Sequence, residues 1–294
     1  MDLKSVYMGI AFALMWASAF TSARIIVIDA APLAVSAVRF LFAGLVAITI
    51  AYLRGQTWRL GSEQWRSILV FGICQNAIYL GLVFVALKTV DASLVSIVAS
   101  TMPLMVGFAG WAIFREPLAP ISLAGLIVGV LGVCLIMASR MTNGVDGLGI
   151  ALCVIAAVAL GVATMSMKTA MSGGNLMMVV GLQMLVGAGI LGLVAIFFED
   201  VYFSPTLPSL VAFIYTVFVP GLLATVLWFR LVERIGPVRA ATYHFLNPVF
   251  GVGIAALVLG ERLERTDAIG VLIVGASILA VQYQKKPLKE GPLV

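Results

Sequence analysis

Nine uninterrupted apolar stretches constrain this chain more than any single motif. They cover residues 5–23, 67–87, 92–114, 117–139, 147–167, 169–198, 201–229, 240–260 and 268–284. A tenth, about 32–53, is broken only by Arg39. About 20 residues of helix cross a bilayer core. In lipid only a helix or a closed barrel satisfies its own backbone, and these stretches lack the alternation of barrel strands. The sequence therefore predicts an all-α polytopic membrane protein with ten transmembrane helices. Charged residues are 11% and hydrophobic residues 62% of the 294, whereas a soluble domain carries roughly one-quarter charged residues.

The charges report orientation. With ten spans both termini share a side. Lys4, Arg54, Arg59, Arg66, Arg115, Lys168, Arg230, Arg234, Arg239, Lys285, Lys286 and Lys289 fall on that side, against Arg24, Lys88, Arg140, Arg262 and Arg265 on the other. The positive-inside rule makes the richer side cytoplasmic, so the net charge of +5 is a topology signal and not a nucleic-acid footprint. The expected location is the cell inner (plasma) membrane, with the bilayer and a small molecule as partners; oligomeric state is not readable. Lys4, the first apolar run and Ser22-Ala23 have the outline of a cleaved leader, but the run is long for one and recurs in the second half. Cys74, Cys134 and Cys153 all fall within spans, so neither a disulfide framework nor a metal site is expected, and no cofactor.

The chain is internally duplicated. Pro103 to Glu116 and Pro248 to Glu261 are both 13 residues, and Glu116 to Gly125 and Glu261 to Gly270 are both 9, all at one offset of 145. Gly9-Ile10-Ala11 recurs as Gly149-Ile150-Ala151. The expected units are a five-helix repeat over 1–140, a second over 141–284 and a basic cytoplasmic tail over 285–294. Five crossings per repeat turn the second copy upside down, the usual plan of an alternating-access transporter.

Two five-helix copies, each with a mid-span proline and a glutamate 13 residues later, with WASAF in the first span, resemble the drug/metabolite transporter superfamily in its ten-helix EamA type. The resemblance covers residues 5–284. Within it the chain is most similar to the YddG group, which implies export of aromatic and other neutral amino acids. Another metabolite or drug permease of the same fold is the nearest alternative. A membrane-embedded enzyme or lipid-processing subunit would need a catalytic cluster, and the single His and the lack of a mid-span acid supply none. A non-transporting structural subunit would not need a polar cavity.

Every acidic residue lies at a span end or in a loop, so no buried carboxylate is available for cation exchange. Glu116 and Glu261 read as partners of helix N-termini. Arg39 is the one charge deep in a span, either functional or satisfied by carbonyls and snorkelling. Gly251 to Ala256 mimics a nucleotide fingerprint but follows no strand, and reads as close helix packing.

Proline cannot donate to the carbonyl four residues back, so Pro248 should free His244 and Pro103 should free Ala99, two symmetric carbonyls in helices that line a cavity. Tyr243, His244 and Asn247 surround one of them. Gln75, Asn76 and Tyr79 lie within a helical turn in the third span, and Trp16 and Phe20 share a face of the first. Trp16, Phe20, Gln75, Asn76, Tyr79, Ala99, Tyr243, His244 and Asn247 are thus the candidate substrate-binding residues, with Pro103 and Pro248 as helix kinks. Aromatic surface, amides and a hydroxyl without a carboxylate suit a zwitterion with an apolar side chain better than a phosphorylated sugar.

Overall fold

Apolar composition dictates helix after helix, and the computed structural model describes residues 3–103, 105–106, parts of 120–135, 146–166, 174–262 and 265–282. We label α1 (Leu3–Asp29), α2 (Pro32–Leu53), α3 (Ser62–Ala86), α4 (Ala92–Ala99), α5 (Gly147–Ser166), α6 (Leu176–Phe198), α7 (Leu207–Ile235), α8 (Arg239–Leu259) and α9 (Arg265–Gln282). Seven of these, all but α4 and α9, are long and apolar enough to cross a membrane. Among the described residues the only β feature is an isolated bridge between Ala30 and Phe203. The tail over 285–294, the boundary near 140, Glu116 and Cys134 lie outside the described residues.

Packing follows the duplication. α1 packs on α7 and α8, and its counterpart α5 packs on α3 and α4, the mates of those two helices. The helices paired with their own mates, α2 with α6 and α4 with α8, meet each other directly. Exchange of two inverted halves about one axis produces this pattern. At the α2–α6 crossing Gly44 and Gly181 face one another: a side chain on either would press on the other's carbonyl oxygen, at 3.0–3.1 Å from its Cβ. Small residues there let the backbones close, which replaces the hydrophobic drive that helices lack in lipid.

Both repeats also widen into a π-helical turn at one register, Gly72–Leu80 in α3 and Val217–Leu223 in α7. Their first residues are 145 apart, the offset of the prolines. In α7 Pro220 lies inside the widened segment, where its missing N–H breaks the ladder. Such insertions are rare and concentrate at functional sites.

Helix N-termini are closed by side chains of the other half. Glu199 accepts from the backbone N–H of Leu33 (3.0 Å) and Ala34 (2.9 Å) at the start of α2. Gln56 does the same for Met178 (3.0 Å) at the start of α6, 145 residues beyond Leu33. Glu261 accepts from Ala92 (2.9 Å) and Ser93 (3.1 Å) at the start of α4. The expectation that this glutamate meets a helix N-terminus holds, and the helix belongs to the opposite repeat. Each carboxylate satisfies two of the orphan donors and the positive end of the dipole at once.

Candidate functional site

The widened turns of α3 and α7 form two walls of one buried cavity. Gln75, Asn76, Tyr79 and Leu80 come from α3, Pro220, Gly221 and Thr225 from α7, Trp16, Phe20 and Ala23 from α1, and Arg39 and Phe40 from α2. The space is narrow, about 20 Å³, room for about one water. A molecule larger than water fits there only when the walls separate. Among the described residues no carboxylate borders it.

Five of the residues expected from the sequence thus come together: Trp16, Phe20, Gln75, Asn76 and Tyr79. The Trp16 and Tyr79 rings stack with centroids 6.2 Å apart and planes 6° from parallel. Asn76 is held from behind, because its Nδ2 donates to the backbone carbonyl of Gln183 (2.9 Å) and to that residue's side-chain oxygen. Gly187 permits this approach, since a Cβ there would overlap the Asn76 side chain. The Gln75 Oε1 atom is buried and has no hydrogen-bond partner.

Ala99, Tyr243, His244 and Asn247 do not border that space. His244 is enclosed edge-on by Phe12 (5.0 Å between centroids), Trp228 (5.0 Å) and Trp16 (5.7 Å). Its Nδ1 pairs with Asn247 Nδ2 at 3.1 Å, and the Asn247 carbonyl accepts from Ser96 Oγ at 2.7 Å. The Tyr243 ring packs against Gly9, where any Cβ would strike it. These residues form a packed layer in which α1, α4 and α8 meet, with Trp16 between it and the cavity.

The proline expectation needs one correction. Pro248 sits in the first turn of the α-helical segment Asn247–Leu259, and the preceding Thr242–Leu246 tightens into a 3₁₀ helix. The Asn247 N–H then reaches the His244 carbonyl, so that carbonyl is not free. A three-residue bond replaces the four-residue one that proline forbids. In the first repeat α4 ends at Ala99, and Ser100 and Thr101 turn before the buried Pro103.

Arg39, open from the sequence between a functional and a structural role, and Phe40, Phe84, Pro220, Gly221 and Thr225, none of them in the expected substrate-binding set, all border the cavity. The sequence did carry a signal for two of them: the offset of 145 maps Gln75 onto Pro220 and Asn76 onto Gly221. Arg39 carried only its depth in a span.

Several relatives of the chain are named transporters. The family model described as the EamA-like transporter family matches residues 3–138 and again 147–283. The chain is 26% identical to the uncharacterized transporter YvbV of Bacillus subtilis, over 95% of this chain and 92% of that one. It is 24% identical to protein PecM of Dickeya dadantii, over 90% of each. It is 26% identical to the uncharacterized inner membrane transporter YedA of Escherichia coli, over 96% and 92%. A solved crystal structure superposes with a TM-score of 0.72 at 21% identity, covering 95% of this chain and 96% of that one, a likeness of fold. With the family model matched twice across two copies of one helical unit, the chain belongs to the EamA-like transporter family and is a multi-pass membrane transporter.

Proposed function

We propose that the protein exports neutral, including aromatic, amino acids across the cell inner membrane, in the manner of the YddG group. The repeats over 1–140 and 141–284 rock against each other about the cavity, and both termini and the tail over 285–294 face the cytoplasm. One observation carries the reading. The buried space between the widened turns of the two repeats offers stacked aromatic rings, amides and one guanidinium, with no carboxylate among the described residues. Aromatic surface suits an apolar side chain, and the polar atoms suit a zwitterionic head. The present narrowness of the space fits a site that opens to one side at a time. The inner-membrane location draws on the printed name of the Escherichia coli relative.

The test is counterflow in proteoliposomes, with labelled phenylalanine outside and unlabelled neutral amino acids inside. Accumulation is the expected result. Failure with every amino acid, by protein that is folded and reconstituted, sinks the substrate reading and leaves a permease for other metabolites or drugs. Orientation is read separately, from cysteines introduced beside Arg59 and Arg234 in a cysteine-free variant. They should resist a membrane-impermeant thiol reagent in whole cells, while a cysteine beside Arg262 is labelled.

A further inference from the structure

Arg39 is 2% exposed. Its guanidinium carbon lies 4.2 Å from the centroid of the Phe40 ring and 4.8 Å from that of Phe84. Nε and Nη2 are buried without a hydrogen-bond partner. A guanidinium keeps its charge in any protein environment and donates in a fixed planar fork. Two rings attract that charge but accept no N–H bond in the plane of the fork. A buried charge so placed is costly unless an acceptor meets it.

The other repeat displays the alternative. Gln183 lies one residue from the position that repeats Arg39, and faces the widened turn of α3 where Asn76 bonds to it. Arg39 faces the matching turn of α7, where the residues equivalent to Gln75 and Asn76 are Pro220 and Gly221. Neither has a polar side chain. The protein thus meets the Gln183 amide at its oxygen, though not at Nε2, on one side of the axis, and gives the cation's Nε and Nη2 no hydrogen-bond partner on the other.

We propose that Arg39 is the carboxylate-anchoring residue of the transport cavity, its Nε and Nη2 forming a fork for the two oxygens of the substrate carboxylate. Gln75, whose Oε1 is unpartnered in the same cavity, accepts from the substrate ammonium group. Phe40 and Phe84 hold the guanidinium plane in place, so little side-chain freedom is lost on binding. One cation matches one carboxylate and leaves a doubly charged phosphate half-neutralised, which selects an amino acid over a sugar phosphate. The assignment rests on the amino-acid transport proposed above and deepens it to the groups recognised.

Three probes test it on the purified full-length protein: L-phenylalanine, 3-phenylpropionate, which keeps the carboxylate alone, and L-phenylalaninamide, which lacks it. Thermal stabilisation of the wild type should follow phenylalanine and phenylpropionate and be absent or tenfold weaker in apparent affinity for the amide. Arg39→Gln should lose tenfold or more for both carboxylates, the scale of a lost charge-assisted bond, and leave the response to the amide unchanged. Gln75→Ala should weaken phenylalanine and spare phenylpropionate, which has no ammonium. Equal responses of the wild type to carboxylate and amide overturn the proposal, and that comparison stands even if Arg39→Gln does not fold. Carboxylate binding that depends on Arg39, in protein that exchanges no amino acid, keeps the anchor and removes the export reading. Amino-acid exchange with Arg39→Gln at wild-type affinity does the opposite.

Discussion

The layer around His244 and the cavity around Arg39 lie on either side of Trp16 and differ in the groups they leave unmet. In the layer the protein meets the imidazole and the backbone: Asn247 Nδ2 meets His244, Ser96 meets the Asn247 backbone carbonyl and rings surround the imidazole, while Asn247 Oδ1 is buried without a hydrogen-bond partner. In the cavity, Arg39 and Gln75 keep buried polar atoms that nothing in the fold meets. Buried polar groups are ordinarily paired, because an unpaired one costs about 1–3 kcal/mol. Unpaired atoms occur in both regions, and what sets the cavity apart is that two of its unpaired donors belong to a guanidinium, the costliest kind of group to leave unmet.

The largest effect expected on the scaffold side comes from Gly251→Leu. A side chain there runs into Ser96, the donor to the Asn247 carbonyl, and overpacking costs about 1–3 kcal/mol or more. Size-exclusion chromatography of detergent-extracted protein should show loss of the monodisperse species, and a normal profile would mean that the layer is pliable.

Asn247→Ala sharpens the same contrast. It leaves His244 Nδ1 without its partner, so thermal stability should fall by about 1–3 kcal/mol while the KM for transport stays at the wild-type value. A raised KM with unchanged stability would return Asn247 to the substrate path.

A smaller loss is expected from Glu261→Gln. The amide keeps one acceptor oxygen for the two N–H groups of Ala92 and Ser93 and forfeits the charge at the start of α4, an effect of about 0.3–1 kcal/mol. Melting temperature should drop slightly. The dependence of transport on a pH gradient should be unaltered, and its selective loss would make Glu261 a proton carrier.

The smallest effect is at Asp146, whose carboxyl is held below the usual value of 3.8 first by the Thr89 hydroxyl at 2.8 Å and then by N–H groups at the start of α5. A depressed carboxyl contributes stability at pH above its unfolded value and loses it as pH falls through its folded value. Thr89→Val should thus lower the melting temperature slightly near neutral pH, and the gap from the wild type should close on acidification below about pH 3.8. A gap that persists in acid would assign the effect to packing.

Much of this was legible in the residues. The long apolar runs and the repeated proline-to-glutamate spacing identify inverted helical repeats, because bilayer thickness and helix rise convert length into topology. The cluster Gln75, Asn76 and Tyr79 was legible because it lies within one turn of a single helix. Tyr243, His244 and Asn247 lie outside that cavity, and the proline spacing alone did not show this. Periodicity fixes where a ladder bond is lost, but a 3₁₀ turn can restore it locally, and the segment that makes this turn packs against α1 and α9.

By itself the sequence determined the helical class, the duplication with its offset of 145 and the absence of a mid-span acid, since each is a matter of composition or spacing along the chain. Only the tertiary structure decided which polar groups are satisfied. Asn76 and Gln183 are 107 residues apart, Ser96 and Asn247 are 151 apart and Glu261 and Ala92 are 169 apart. Arg39 is distinguished by partners that the opposing helix fails to provide. Hydrogen bonding acts over about 3 Å in space, so no local pattern along one helix records what a distant helix brings to meet it.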